Sequence, residues 1–476
     1  MPFSSAYCPE TLHGRLGPEF YDPVEAATFP QHILRHRNQR WAAPLGLGDL
    51  TQEEWIAHFG RFEPLPGSLP QPLALRYHGH QFRHYNPDLG DGRGFLFAQL
   101  RDGDGRLLDL GTKGSGQTPW SRRGDGRLTL KGGLREILAT EMLEALGVNT
   151  SKSFSLIETG EKLIRGDEPS PTRSSVLVRL SHSHIRIGTF QRLAYFEDKT
   201  SLAHLLSHSV EHFLPDLDAS APPQELAPLF VKEVSRRVAR MGAQWMVAGF
   251  VHGVLNSDNI NITGESFDYG PWRFAPTFDS ALTAAYFDET GLYAFGRQPG
   301  ALLWNLGRLA ESLLPLAPRE ALEEALAHFE PLVQAAFAKN ILRRLGLASL
   351  SQEADRTFAA AFVEFLISSK APFEQTFFDW HGGMASRERA AASPNAAFYA
   401  QAAFESVFAA LAPFASAPGL RLDHPYFARQ TPCTMIIDEV EAIWAPIAEA
   451  DDWSRFEDKL RDIALMREAY AGVTSA

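Results

Sequence analysis

Cysteine is nearly absent from this chain: Cys8 and Cys433 are the two thiols in 476 residues. So few, so far apart, they make neither a disulfide framework nor a zinc ribbon, and they suit a reducing compartment, so a cytoplasmic location is expected. Long apolar runs are lacking as well. No stretch reaches the roughly 18 residues that a membrane helix needs, and the opening MPFSSAYCPETLHGRL has no basic stretch leading into an apolar one, so no signal peptide is expected. Positive charge is in deficit. A net charge of −12 argues against broad binding to nucleic acid or to an anionic membrane, though not against a locally basic pocket. Also missing are an internal repeat of about 20–50 residues and the GxxxxGK[ST] phosphate loop.

What remains is ordinary globular material, 45% hydrophobic and 21% charged, long enough to bury a large core and enclose a cleft. Residues 1–72 mix short helical patterns (DLTQEEWIAHFGRF) with proline-rich loops (EPLPGSLPQP) and read as an N-terminal extension. From 73 to 198 glycines are dense and strand-like runs recur: FLFAQL, RLLDLGTK, SFSLIE and SSVLVRL. One helix interrupts them, predicted over 134–147 from apolar residues at 134, 137, 138, 142, 145 and 146, with Gly147 as its C-terminal cap. From 199 to 476 helical periodicity prevails, including 299–314, and the alanine-rich stretch from 390 to 418 also reads as helix. The composite is an α+β protein with a β-rich lobe and a larger helical lobe.

Three glycine segments stand close together: LGDGRG (89–94), TKGSG (112–116) and GDGR (124–127). Each alone reads as a hairpin turn; together, two with arginine after the glycine, they point to anion binding by backbone N–H groups. Lys113 ends a strand-like run and Glu136 follows 23 residues later on the predicted helix. A strand lysine paired with a helix glutamate is the phosphate-holding pair of kinase-type sites; the plainer alternative is two solvated charges. FVHGVLNSDN (250–259) resembles a phosphotransferase catalytic loop, but Val254 stands where the aspartate base belongs. Asp258 is a nearby carboxylate, and Asn259 with Asp268 of FDYG supplies oxygen ligands suited to magnesium. Arg179 and Arg186 in RLSHSHIRIGTF are seven residues apart and have the fork geometry for phosphate. His204, His208 and His212 share one helix face without an acidic partner, and His78, His80 and His84 lie in YHGHQFRHY; all six read as structural rather than as metal ligands.

The stretches YHGHQF…LGDGRG, DLGTKGSGQTPWSRRGDGR, LREILATEMLEALGV, VLVRLSHSHIRIGTF, QWMVAGFVHGVLNSDNINITGESFDYGP and QPGALLWNLGRLAESL resemble, in order, the selenoprotein O family and its bacterial YdiU-type relatives. The resemblance implies a protein-kinase-like two-lobe fold, with ATP bound in a flipped orientation, that moves AMP onto Ser, Thr or Tyr hydroxyls of proteins. It further implies that Gly90, Gly92, Arg93, Lys113, Asp125, Gly126, Arg179 and Arg186 hold the nucleotide, with Asp268 also on ATP, while Glu136 pairs with Lys113. Asn259 and Asp268 would hold magnesium, or manganese, and Asp258 would be the proton acceptor. A monomer acting on protein substrates is expected, without nucleic acid or membrane partners. Arg83 replaces an expected glycine, Lys131-Gly132-Gly133 stands where Arg-Ser-Ser is usual, and no cysteine closes the chain, so redox gating by a terminal bridge is not expected. The competing readings are a phosphotransferase using Asp258 as base and an inert nucleotide-binding scaffold.

Overall fold

The structure is a computed structural model that describes residues 3–472; the last residues of the AYAGVTSA terminus lie outside that range. Among the described residues, nine strands form one antiparallel sheet. Its centre is built from β1 (Leu96–Arg101), β2 (Leu107–Lys113), β3 (Lys152–Leu163) and β4 (Thr172–Ser181), in the spatial order β1-β2-β4-β3. The edges come from the N-terminal segment: Tyr21–Pro23 lies beyond Leu73–Leu75 on one side, and Ile33–Arg37 pairs with β3 on the other.

Strand periodicity sorts the two faces. Leu108 and Leu110 of β2, with Val176, Val178 and Leu180 of β4, pack against Trp55, Phe59 and Phe62 of the N-terminal segment. Leu107 and Leu177 point the other way, towards the helix α1 (Leu130–Ala145). Residues two apart share a face, so Lys113 and Arg179 also emerge on the α1 side; the register places Leu177 opposite Lys113 and Arg179 opposite Gly111.

The helix α1 starts four residues before the predicted start. Thr129 caps it by accepting the N–H of Gly132 at 3.1 Å, and Gly147 follows its end at φ +79°, a left-handed position that glycine takes without strain. After β4 come α2 (Ile187–Tyr195), α3 (Pro223–Val247), α4 (Gln298–Ser312) and a run of helices closing with α5 (Ser454–Tyr470). A large core joins α1, α3, α4 and α5, and a second lies among helices between 329 and 414. The alanine-rich stretch is three short helices, Arg387–Ala392, Ala396–Tyr399 and Ala402–Leu411. Pro394 lacks an N–H and interrupts the first junction. Among the described residues no helix is long and apolar enough to cross a membrane. Cys8 is exposed, Cys433 is buried, and both are unbridged.

Candidate active site

The segment after α3 is tied at both ends. Phe250–Val251 pairs with Arg273–Phe274, which closes the loop between them. Inside it, His252 takes Gln298 Oε1 on its backbone N–H at 3.0 Å, and its Nε2 donates to the Phe267 carbonyl at 2.9 Å. That bond sets the residue before Asp268. The loop also runs beside the segment following β4: Ile187 N–H donates to the Ile260 carbonyl at 3.1 Å, and Ile262 N–H to Ile185 at 3.2 Å. By this pairing the RLSHSHIRIG stretch reaches the loop.

Four distant segments therefore meet at Asp268. Lys113 Nζ, buried at the end of β2, contacts Glu136 of α1 and donates to Asp268 Oδ1 at 2.8 Å. Arg179 reaches the same oxygen at 3.0 Å. Asn259 Nδ2 donates to Asp268 Oδ2 at 2.8 Å. Asp268 itself sits at φ +64°, an uncommon conformation for a side-chain-bearing residue and one found at functional positions. Burial alone would raise its pKa, but Lys113 and Arg179, with Arg93 contributing, hold it well below the carboxylate range. The paired lysine and glutamate are buried, so the solvated-charge alternative does not describe them.

Arg186 is buried and bonds Asp91 Oδ1 at 3.0 Å, with its guanidinium 4.2 Å from the Tyr77 ring centroid. Asp258 lies on a short turn, Ser257–Asn259. Burial pushes its carboxyl up to about 6, opposed by Arg186 and reinforced by Asp268. Among the described residues its Oδ1 has no hydrogen-bond partner, and neither do Arg179 Nε, Arg186 Nε and Glu136 Oε2. Unsatisfied charged atoms of both signs gathered in one place mark a ligand site rather than a structural network. Asn259 and Asp268 offer hard oxygen donors close enough to share one cation, which fits magnesium or manganese.

The three glycine segments pack on one another. A Cβ on Gly94 would lie 2.1 Å from the Thr112 carbonyl oxygen, and one on Gly126 would lie 2.2 Å from Gly116. Gly90 and Gly92 lie under Trp120, where a Cβ would meet the indole at 2.4 Å or the Trp120 carbonyl at 2.8 Å. Arg93 is exposed beside this cluster. Asp125 is turned elsewhere, accepting two bonds from Arg165 at 2.8 and 3.0 Å.

Sequence reasoning missed the residues that seat the turn. His80 N–H donates to Ser257 Oγ at 2.7 Å and Phe82 N–H to Asn256 Oδ1 at 3.0 Å. A Cβ on Gly79 would lie 3.1 Å from Asp258 Oδ1. YHGHQF thus belongs to the site through its backbone, and its histidines are used structurally: His78 Nδ1 bonds the Tyr85 hydroxyl at 2.8 Å and His80 Nδ1 bonds Gln191 at 2.7 Å. The signal available was a glycine between two histidines, whose role only the folded contact reveals.

A profile described as protein adenylyltransferase SelO matches residues 4–464. A protein nucleotidyltransferase YdiU of Gloeobacter violaceus is 45% identical over 477 residues, covering 97% of this chain and 95% of the relative. The protein of the same name from a Synechocystis species is 43% identical over 461 residues, covering 94% and 96%. A Synechococcus elongatus relative, again so named, is 51% identical over 366 residues, covering 76% and 71%.

Proposed function

The chain belongs to the SelO family of protein adenylyltransferases, and from that premise we propose that it transfers AMP from ATP to Ser, Thr or Tyr hydroxyls of protein substrates. The observation that carries this reading is the buried convergence of Lys113, Arg179 and Arg186 around two carboxylates of opposite protonation tendency. We read the sheet region of 73–198 and the helical region of 199–476 as the two lobes of a protein-kinase-like fold, with 1–72 as an extension.

The three cations receive the triphosphate tail, and Glu136 keeps Lys113 charged and aimed. The innermost phosphate then faces the acceptor. Asp258 takes the acceptor's hydroxyl proton; the oxygen bonds to the α-phosphorus, and the bond from that phosphorus to the oxygen bridging to the β-phosphate breaks. Pyrophosphate leaves into the arginine and lysine cluster, which stabilises its charge before and after cleavage. Asn259 and Asp268 would hold magnesium, or manganese, which neutralises phosphate charge when bound. Val254 does not bear on this chemistry, because the base is Asp258, four residues later. Gly90, Gly92 and Gly126 let the glycine segments pack closely on one another at the nucleotide site, and Arg93, exposed beside them, adds a further cation for phosphate. Asp125 would have to leave its partner Arg165 to reach the nucleotide.

Incubation with ATP labelled at the α-phosphorus, and separately at the γ-phosphorus, tests the reading. Label from α alone on the acceptor supports it. Label from γ alone makes the protein a phosphotransferase, and label from neither makes it a scaffold.

A further inference from the structure

The loop between the second and third glycine segments carries a feature that the nucleotide-site residues named above do not include. Arg122 and Arg123 are consecutive, exposed, and both left-handed, at φ +45° and +75°. Side-chain-bearing residues avoid that region, and two in succession persist only where surrounding contacts impose it. Those contacts are present. Ser121 Oγ donates to the Gly92 carbonyl at 2.6 Å, Thr118 Oγ1 to Asp91 at 2.5 Å, and Trp120 Nε1 to Asp22 at 2.9 Å. Gly124 N–H closes the turn onto the Ser121 carbonyl at 2.6 Å. The loop is thus clamped over the Gly90–Gly92 segment, whose Asp91 holds Arg186.

Neither guanidinium has an acidic partner among the described residues. The next carboxylate along the loop, Asp125, is occupied by Arg165. Arg122 follows Ser121, whose hydroxyl is bonded to Gly92 beside the Asp91 that holds Arg186. Arg83 repeats the pattern at another point of the mouth. It is exposed and left-handed at φ +67°, directly after Phe82, which is bonded to the catalytic loop. Its guanidinium rests 5.7 Å from the Trp304 ring centroid and has no carboxylate partner among the described residues. A chain with net charge −12 therefore presents three left-handed arginines without acidic partners among the described residues, two beside the segment that holds Arg186 and one beside the loop that carries Asp258.

We propose that Arg83, Arg122 and Arg123 form an acceptor-binding rim that selects protein segments carrying Asp or Glu beside the modified hydroxyl. The inference rests on the adenylyltransferase reading for its acceptor. Acidic side chains meet the rim, are steered to it by charge, and place the neighbouring hydroxyl at Asp258. The flanking carboxylates are what the rim distinguishes, since Asp258 alone would accept any hydroxyl that reached it.

The test measures binding of fluorescein-labelled serine peptides to the full chain by anisotropy, with Glu, Ala or Lys flanking the serine. The Glu peptide should bind about tenfold more tightly than the Lys peptide, and the difference should shrink as salt shortens the Debye length. The R83G/R122G/R123G variant keeps the left-handed backbone, since glycine adopts it freely, and should lose the preference. R122E/R123E should favour the Lys peptide. Equal binding of the three peptides, or a preference surviving in the glycine variant, overturns the proposal. So does a DNA oligonucleotide of matched charge that binds as tightly as the Glu peptide, because the rim would then be a general polyanion site. Transfer of α-label to the Glu peptide is scored separately: a peptide bound with acidic preference but never labelled leaves the rim standing and removes the adenylyltransferase reading.

Discussion

At the residue scale two aspartates ten positions apart sit in opposite environments. Asp268 is held ionised by Lys113 and Arg179, whereas Asp258 is pushed towards neutrality by burial. Environments that separate two carboxylates in this way suit one to binding and the other to proton transfer. Because the Asp258 carboxyl titrates at about 6, it is protonated and useless as a base below that pH, so the transfer rate should rise through about pH 6 and level off above it. Asp258→Asn should cost on the order of 10²–10⁴ in kcat while ATP still binds, and should flatten that rise; retention of the wild-type pH profile in this variant would falsify the assignment. The same raised pKa sets a stability sign. Relative to the ordinary value of an aspartate in the unfolded chain, the folded chain loses stability as pH climbs from about 4 to about 6, so Asp258→Asn should raise the melting temperature at pH 7. Lys113, Glu136, Asn259 and Asp268 were singled out in advance because kinase-type chemistry fixes their residue types and order, and Arg179 because of its guanidinium fork; the fold brings all five together. Asp91, Tyr77 and Gly79 were not. Their roles are to hold Arg186, to face it with a ring, and to make room for Asp258, and none of these follows from residue type.

At the scale of elements, the helix α1 shows what the sequence concealed. Its apolar spacing identifies a helix, but Lys131-Gly132-Gly133 looks like its preamble, since glycine disfavours helix interiors. In the folded chain that triplet is the first turn, and Gly133 faces the sheet: a Cβ there would lie 2.4 Å from Leu156 Cδ1 and 2.8 Å from Ser175 Oγ. The absent side chain sets how closely α1 approaches β3 and β4, and so how Glu136 meets Lys113. Gly133→Ala should therefore destabilise the chain by about 1–3 kcal/mol through overpacking, outweighing the roughly 1 kcal/mol that alanine gains in helix propensity. Chemical denaturation reads this directly, and an unchanged or raised midpoint would show that Leu156 moves aside freely. A raised KM for ATP in the same variant would connect helix position to the ion pair.

At the scale of the molecule, the C-terminal helix α5 packs on α1, an arrangement no motif in the sequence pointed to, although the family match runs to residue 464. Two kinds of contact hold it. Asp451, just before the helix, accepts Arg173 at 2.7 Å and Arg35 at 3.0 Å, and Arg467 pairs with Glu141 on α1. Asp451 is half exposed, so its pairs are worth at most about 1 kcal/mol each. The apolar side of α5 contributes more, because Phe456, Ile463 and Met466 are buried in the core that contains Leu134, Ile137 and Leu138 of α1, and each such side chain stabilises by about 1.5–3 kcal/mol. Asp451→Ala should accordingly move the unfolding midpoint little, by under ~1 kcal/mol, whereas Met466→Ala should cost about 2–5 kcal/mol. The consequence for function follows from what α1 carries. Loosening α5 frees the helix that positions Glu136, so Met466→Ala should raise the KM for ATP at temperatures where the chain is still folded, while Asp451→Ala should not. If Met466→Ala lowered only the melting temperature and left nucleotide affinity untouched, α5 would be a covering helix with no mechanical link to the phosphate-binding lysine.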